Sequence, residues 1–250
     1  MVCEGFAKTR LELIDETKRA VAGSFSSDVT VIQLLTVVDE LILQTNSLSK
    51  RLRDWHGALL PEVGHVVSDH ERFCRLVADK SFEELKGEFC GEVSMAASVP
   101  DIQYAPVRDF ASFIVSVYDL KADLLSRLET VLSGIAPNLL HLCGASIASR
   151  LISSAGSLRK LACFPSSTIQ LLGAEKALFR HLKTGARSPK HGFIYSHPLI
   201  SHASRSDMGR VSRALADKIS LCSRLDYFGG EFKADSYYEE LKDRFSRGDR

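Results

Sequence analysis

The chain has 250 residues, of which 45% are hydrophobic and 25% are charged, with 7 prolines and a net charge of +1. This length and composition predict a soluble globular protein with one large domain or two medium ones. The apolar runs are far shorter than the roughly 18 residues of a membrane span, and the N-terminus lacks an apolar signal-peptide core, so we expect an intracellular protein with no membrane partner.

The first predicted elements are a polar helix and a longer heptad helix. A helix is predicted at Leu11–Val21, ended by Gly23, and residues 1–27 are assigned to an N-terminal helix and linker. Ser27 or Asp28 is placed to cap the next helix. In that helix, apolar or small residues recur at alternating steps of four and three, which is typical of a coiled-coil seam. The seam positions are Leu34, Val38, Leu41, Thr45, Leu48, Leu52 and Trp55.

A second seam with the same period lies between Val107 and Leu132. Its positions are Phe110, Phe113, Val117, Leu120, Leu124, Leu128 and Val131. Two seams of matching length predict an antiparallel helical hairpin, which we assign to a coiled-coil domain of residues 28–132. The roughly 50 residues between the seams are too many for a bare loop, so short helices are expected there. An ordinary helical bundle would give the same pattern, and the pattern does not separate an internal seam from a dimer seam.

Residues 133–250 form the remaining predicted domain. Pro165 marks a break before a fresh helix, and Asp207 is a candidate cap for an amphipathic helix. A last amphipathic helix is predicted at Ser236–Phe245. Strand-like alternation is confined to three residues, Phe193–Tyr195, so we expect an all-α fold.

No catalytic or metal-binding constellation stands out. The serine that follows Gly144 lacks the strand and the spacing of a nucleophile elbow, and the glycine spacing of a phosphate loop is absent. The six cysteines form no CxxC pair and are interpreted as small buried side chains, while His197 and His202 have no cysteine near them. We therefore predict no enzymatic activity, no catalytic residue, no metal and no cofactor.

The strongest chemical signal is a basic segment. Residues 150–224 hold 13 Lys and Arg against 3 acids and the rest of the chain holds 19 against 28, so the two parts carry +10 and −9. Within this segment, Leu171–Tyr195 combines a helix start with five cations and Glu175 as its single acid. Gly173 and Ala174 permit close backbone approach, and free N–H groups at a helix start can bind a phosphate oxygen. The pattern predicts a polyanion site, and a solvated basic helix is the alternative.

The cations of the predicted helix are regularly spaced. Lys176, Arg180 and Lys183 recur at steps of four and three, so they share one helix face. Leu178 and Phe179, on the same helix, are more often core residues than platforms on which bases stack.

Several stretches carry a family resemblance. GAEKALFR at Gly173–Arg180 and SPKHGFIY at Ser188–Tyr195 are preceded by STIQLLG and followed by RLDYFGGEF at Arg224–Phe232. Together they resemble the Nop domain, the RNA-binding core of box C/D ribonucleoproteins, and the flanking stretches are similar to its archaeal members. RLRDWHGALLPE, which ends at Glu62, resembles the exit of the family's coiled-coil helix. The resemblance therefore covers nearly the whole chain.

The resemblance implies a non-catalytic scaffold of a particle that guides rRNA 2'-O-methylation. The family's Nop domain recognises kink-turn RNA as a composite surface with a kink-turn-binding protein of the ribosomal-protein type, and its coiled coil self-associates. Carried over, the family's RNA contacts are Gly173, Ala174, Glu175 and Lys176 at the RNA–protein junction, Leu178, Phe179 and Arg180 near the guide or stem, and Lys190 and His191 in a loop that reaches RNA. The cations Lys183, Arg187, Arg210 and Arg213 complete the predicted RNA-binding set.

The resemblance also has a departure and leaves alternatives. Family members of guide particles carry a domain before the coiled coil that binds the methyltransferase fibrillarin, and only residues 1–27 precede it here, so the sequence does not predict fibrillarin binding. A coiled-coil interaction protein without a specific RNA role is one alternative. A spliceosomal kink-turn protein of the same family is another, disfavoured by the archaeal character of RLDYFGGEF. An archaeal member is expected in the cytoplasm and a eukaryotic one in the nucleus or nucleolus.

Overall fold

The structure, a computed structural model, describes residues 2–23, 26–90, 95–96 and 100–246, with side chains from residue 9 onward except at 101 and 246. These residues form 13 α-helices, one 3-10 helix and no strand, which confirms the predicted all-α class. The chain divides into two compact units, Leu34–Leu128 and residues 1–33 together with 129–250. No single helix of the described residues is long and apolar enough to cross a membrane.

The helices are numbered along the chain. They are α1 (Val2–Gly23), α2 (Ser27–Gly57), α3 (Pro61–Val66), α4 (His70–Asp79), α5 (Phe82–Phe89), α6 (Asp101–Ile135), α7 (Pro137–Ala155), α8 (Leu158–Cys163), α9 (Ser166–Leu171), α10 (Glu175–Thr184), α11 (Pro198–Ser201), α12 (Met208–Phe228) and α13 (Ala234–Ser246). The 3-10 helix spans Phe193–Ser196, between α10 and α11. The short helices expected between the two seams are therefore present as α3, α4 and α5.

In the unit Leu34–Leu128, α2 and α6 pack as an antiparallel pair. Ser49 Oγ of α2 lies 3.1 Å from the Tyr118 hydroxyl oxygen of α6. Trp55 comes later in α2 and Phe110 comes earlier in α6, and their ring centroids are 6.3 Å apart. The order of these contacts reverses along the two helices, as a helical hairpin requires.

The buried face of α6 differs from the predicted seam. The buried residues of its first half are Tyr104, Val107, Ala111, Ile114 and Tyr118. Phe113 and Leu120, which the prediction placed in the seam, are 56% and 48% exposed. Trp55 of the α2 seam is 43% exposed, and His56 beside it is buried instead. The predicted seam was chosen by the size of its apolar side chains. In the structure, the helices pack through the small Ala111 and through Tyr118, whose hydroxyl contacts Ser49.

One guanidinium orders the segment between α3 and α4. Arg53 Nη2 donates to the backbone carbonyls of residues 67–69 at 2.7 to 2.9 Å, and Arg53 Nε donates to His70 Nδ1 at 2.9 Å. The same group lies 4.4 Å from the centre of the Phe73 ring. Asp69 is the last of these three residues, and its carboxylate caps α4. Arg53 therefore fixes where the chain enters α4.

In the other compact unit, α12 packs against α7, α8 and α9. The Asp226 carboxylate of α12 caps α7, since it accepts the N–H groups of Asn138 at 3.0 Å and Leu139 at 2.8 Å. Asn138 Oδ1 accepts in turn from Lys233 N at 2.7 Å and Ala234 N at 3.1 Å, where α13 begins. Burial raises the pKa of Asp226, and the hydrogen bonds that its carboxylate accepts from Asn138 and Leu139 act against that rise. One carboxylate and one amide therefore join three helices.

Phe193–Tyr195, the three residues with strand-like alternation, lie in the 3-10 helix. Two predictions of helix caps were wrong. Asp207 precedes α12 but its side chain does not cap it, because the carboxylate accepts from Ser204 Oγ at 2.8 Å and pairs with Arg210 at 2.8 Å. Asp28 lies inside α2, and its carboxylate accepts the Leu158 N–H at 3.1 Å, at the start of α8. The Asp28 carboxylate is therefore used by a contact distant in sequence, whereas the Asp207 carboxylate is used by neighbours three residues away.

Candidate nucleic-acid interface

Helix α10 lies on the surface and has no buried residue. Ala174 precedes it without a side-chain cap, and the first N–H groups of a helix have no partner inside it. The Glu175 carboxylate turns back and accepts the Gly173 N–H at 2.7 Å. At the other end, Gly185 has a φ of +67° and donates its N–H to the His181 carbonyl at 2.9 Å. The result is a short helix that faces solvent and has an uncapped N-terminus.

Two glycines let the chain pass close to itself beside the start of α10. Gly173 has a φ of +86°, and a Cβ there would lie 2.7 Å from the Phe193 ring. A Cβ on Gly192 would lie 1.8 Å from the Leu172 carbonyl oxygen. This approach lets Phe193 N–H donate to that oxygen at 2.8 Å, and Gly192 N–H donates to the Gln170 carbonyl at 2.9 Å. Backbone contact therefore joins STIQLLG, which precedes α10, to SPKHGFIY, which follows it.

The side chains of α10 offer charge and apolar surface to solvent. Lys176, Arg180 and Lys183 are exposed, and none of them forms an ion pair with any residue that the structure describes. Phe179 is 61% exposed, so the interpretation of this side chain as a core residue was wrong. Leu178 is half-buried. The helix therefore combines uncompensated cations with an available aromatic ring.

The loop that follows α10 has a different construction. Arg187 is exposed, but Lys190 is anchored, since its Nζ donates to the Arg205 carbonyl at 3.0 Å and its carbonyl accepts from Gln170 Nε2 at 2.7 Å. The His191 ring stacks on Tyr195 with centroids 4.5 Å apart. Burial and then the charge of Lys190 lower the pKa of His191. Lys190 thus holds the loop in place and is not a freely mobile cation.

Arg210 and Arg213 lie apart from α10, in a groove between α12 and α13. The groove has a volume of about 320 Å³ and is lined by Arg210, Arg213, Ala214, Asp217, Arg244 and Phe245. The sequence did not single out Arg244. Helical spacing was the available signal, because Arg244 follows the buried Leu241 by three positions and so borders the packed face of α13. The structure therefore splits the predicted residues between the α10 region and this groove.

Comparison with known proteins gives the family. The family model named Nop, described as "snoRNA binding domain, fibrillarin", matches residues 37–247. The chain belongs to the Nop family. The resemblance inferred from the motif stretches is thereby confirmed, and the two compact units both fall within or overlap the matched range.

Relatives from archaea and eukaryotes are similar over most of this Nop chain. A NOP5 family protein of Methanocaldococcus jannaschii is 38% identical over 247 residues, which cover 92% of this chain and 59% of the relative. Human nucleolar protein 56 is 35% identical over 237 residues, which cover 87% of this chain and 40% of the relative. Nucleolar protein 58 of Candida glabrata is 36% identical over 215 residues, which cover 80% of this chain and 42% of the relative. The chain spans 40% to 59% of the length of these relatives.

A solved structure shares the fold of this Nop chain. The crystal structure of a fibrillarin/Nop5p complex matches with a TM-score of 0.58 and 24% identity, covering 97% of this chain and 77% of that chain. At this identity the likeness concerns the fold. The roles of individual residues at α10, in the following loop and in the groove stay predictions.

Proposed function

We propose that the chain is a non-catalytic RNA-binding scaffold of a box C/D-type ribonucleoprotein that guides rRNA 2'-O-methylation. The observation that carries this proposal is α10, an unburied helix that holds most of the family's GAEKALFR stretch, with an exposed Phe179 and three cations that form no ion pair with any described residue. Membership of a family described as snoRNA-binding supports it. The names of the relatives, a NOP5 family protein and nucleolar proteins 56 and 58, point to the same kind of particle.

The chemistry of α10 fits a phosphate backbone with unpaired bases nearby. Lys176, Arg180 and Lys183 share one face, and each can replace the counterions of a phosphate. The uncapped N–H groups that follow Ala174 can receive a phosphate oxygen, which the positive end of the helix dipole favours. The exposed Phe179 ring gives a surface on which a base can stack. Glu175 is the one acid of α10, and its carboxylate accepts the Gly173 N–H in the turn that precedes the helix.

The RNA partner we propose is a kink-turn, bound jointly with a kink-turn-binding protein of the ribosomal-protein type. One exposed helix of 10 residues offers a small contact area, whereas even single DNA-binding modules bury about 600 to 1,000 Å². A second protein on the same RNA would supply the missing area. The apolar side chains of α10, Phe179 and Leu182 at 61% and 69% exposure, suit a composite surface of RNA and protein better than RNA alone.

We also propose self-association through the coiled-coil unit. Leu43 of α2 is 70% exposed, and Phe113 and Leu120 of α6 are 56% and 48% exposed, so the two long helices leave apolar side chains that a second copy of the chain could cover. Analytical ultracentrifugation tests this, and Leu43→Glu together with Phe113→Glu is expected to give a monomer. If the wild type self-associates but has no preference for kinked RNA, the chain is a coiled-coil interaction protein instead.

We also propose fibrillarin as a partner within the particle, because the description of the family names it. The sequence alone did not predict that partner. The place of action we propose is the nucleolus for a eukaryotic protein, in line with the names of the eukaryotic relatives, and the cytoplasm for an archaeal one.

The α10 assignment is tested by two substitutions and a control. Lys176→Ala and Arg180→Ala are each expected to weaken the complex of chain, kink-turn RNA and partner protein by about 1 to 3 kcal/mol, the value of a charge-assisted hydrogen bond. Arg159→Ala removes an exposed arginine of α8 outside the predicted set and is expected to bind like the wild type. Binding of both α10 variants at wild-type strength in a gel-shift titration would move the site elsewhere.

A further inference from the structure

Two adjoining hollows between α11, α12 and α13 form a single groove, called here the arginine groove. The hollows have volumes of about 320 and 260 Å³, and Arg210, Arg244 and Phe245 line both of them. Arg213 and Asp217 are among the residues that line the first hollow. Ligand pockets usually measure about 300 to 1,000 Å³, so each hollow has room for a side chain of a bound segment and none for a folded element.

Two of the three guanidinium groups in the arginine groove have no carboxylate partner. Arg210 pairs with Asp207 at 2.8 Å. Arg213 and Arg244 are exposed and form no ion pair with any residue in the described ranges. A guanidinium group can donate two parallel hydrogen bonds to one carboxylate. The first hollow, which Arg213 and Arg244 both line, therefore suits the carboxylates of a ligand.

The second hollow adds apolar surface beside these cations. Half of the residues that line it are apolar, namely Pro198, Leu199, Ala203, Val211 and Phe245. Covering apolar surface is favourable by about 25 cal/mol per Å². An apolar side chain of a ligand can therefore occupy the second hollow while neighbouring acids of the same ligand contact the guanidinium groups.

We propose that the arginine groove binds a peptide segment of a partner protein that combines acidic and apolar side chains. The acids of the segment pair with Arg213 and Arg244, and an apolar side chain between them enters the second hollow. A nucleic acid fits this surface less well, because its phosphodiester backbone has no aliphatic group for the second hollow. The Arg244 guanidinium also lies over the Phe245 ring, 5.5 Å from its centroid, so it occupies a ring face on which a base would stack.

The peptide site is separate from the RNA site proposed at α10. Arg210 and Arg213, which the sequence placed in the predicted RNA-binding set, thereby contact a protein, together with Arg244 and Phe245 of α13. The kink-turn site at α10 uses none of these four residues. The kink-turn assay can fail while the peptide still binds the groove, and the reverse also holds, so failures of the two proposals are distinguishable.

The test measures binding of a fluorescein-labelled peptide to the full chain by fluorescence anisotropy. The peptide has about eight residues and is roughly 26 Å long when extended. Pairs of glutamates alternate in it with pairs of leucines, so each face of the extended peptide carries both kinds of side chain. Replacing its glutamates with glutamine, or its leucines with serine, is expected to weaken binding about tenfold, because the first change removes the charge-assisted hydrogen bonds and the second removes the apolar contact.

Variants of the chain locate the site. Arg213→Ala and Arg244→Ala are each expected to weaken peptide binding about three- to tenfold, the value of a charge-assisted contact at an exposed site. Ala203→Leu narrows the second hollow without changing any charge and is expected to weaken binding by a similar factor. Lys242→Ala is the matched control, because Lys242 lies on the same helix as Arg244, pairs with Glu239 at 3.7 Å and does not line the groove.

Four results would each overturn the proposal. The first three are a wild-type chain that does not bind the peptide, equal peptide affinities for Arg244→Ala and Lys242→Ala, and a serine-substituted peptide that binds as tightly as the leucine peptide. The fourth is displacement of the peptide by an equal concentration of an oligouridylate of the same charge, which would assign the groove to RNA. Arg213 and Arg244 are solvent-exposed, so their variants are expected to melt at the wild-type temperature and to decide the question even if Ala203→Leu lowers stability.

Discussion

Substitution of Gly192 by alanine tests whether backbone contact holds STIQLLG and SPKHGFIY together. The new Cβ would lie 1.8 Å from the Leu172 carbonyl oxygen, and ordinary contact begins at 3.4 Å, so the chains must separate by about 1.6 Å. That movement breaks the hydrogen bonds from Phe193 N at 2.8 Å and Gly192 N at 2.9 Å. Two such bonds contribute about 1 kcal/mol each and overpacking costs about 1 to 3 kcal/mol, so we expect a loss of about 3 to 5 kcal/mol.

Hydrogen exchange at the Phe193 amide reports this change directly. The amide is expected to be protected in the wild type and to exchange rapidly in Gly192→Ala, with weaker binding of RNA at α10. Gly209→Ala is the control, because the nearest atom to its Cβ is Lys190 Cδ at 3.9 Å and alanine is the better helix former within α12. Wild-type protection of the Phe193 amide in Gly192→Ala, with a loss of stability below about 1 kcal/mol, would refute the account of this contact.

Two further predictions concern the compact unit Leu34–Leu128. Burial, opposed by the Leu60 backbone, lowers the pKa of His56 to about 4, and the unfolded value is about 6.5. The unfolded chain therefore binds more protons between these values, so stability is full above pH 6.5 and falls by up to about 3 kcal/mol as the pH drops through 4. Urea unfolding at several pH values should show this slope in the wild type and a shallower one in His56→Phe. Arg53→Met removes the hydrogen bonds to the carbonyls of residues 67–69, so it is expected to lower the free energy of unfolding by about 2 to 3 kcal/mol. Arg51→Met, at an exposed site, should change the free energy of unfolding little.

The helical content of the fold was predictable because its signals are local. Heptad spacing marked α2 and α6, and Pro165 marked the start of α9. The buried stripe of α6 was not predictable from apolar spacing, because two overlapping stripes satisfy the same period. The choice between them depends on the Tyr118 hydroxyl and its contact with Ser49 across the hairpin. The small Ala111 and the polar Tyr118 therefore mark the face of α6 that packs against α2.

The candidate site was predictable as two sequence stretches but not as one surface. Nothing in the spacing of GAEKALFR and SPKHGFIY indicates that Gly192 passes within contact of Leu172. The sequence also counts Lys190 as one more cation, although its ammonium group is bound by the Arg205 carbonyl. Arg244 was missed because it follows the basic segment and joins Arg210 only when α13 packs on α12.

The most direct test of the proposed function measures kink-turn RNA binding with and without the kink-turn-binding partner protein at several salt concentrations. We expect a clear gain in affinity when the partner is present, a preference for kinked over unkinked RNA, and an affinity that falls steeply with salt because phosphate contacts release counterions. An affinity that does not change with the partner protein, or does not respond to salt, would contradict the proposed function.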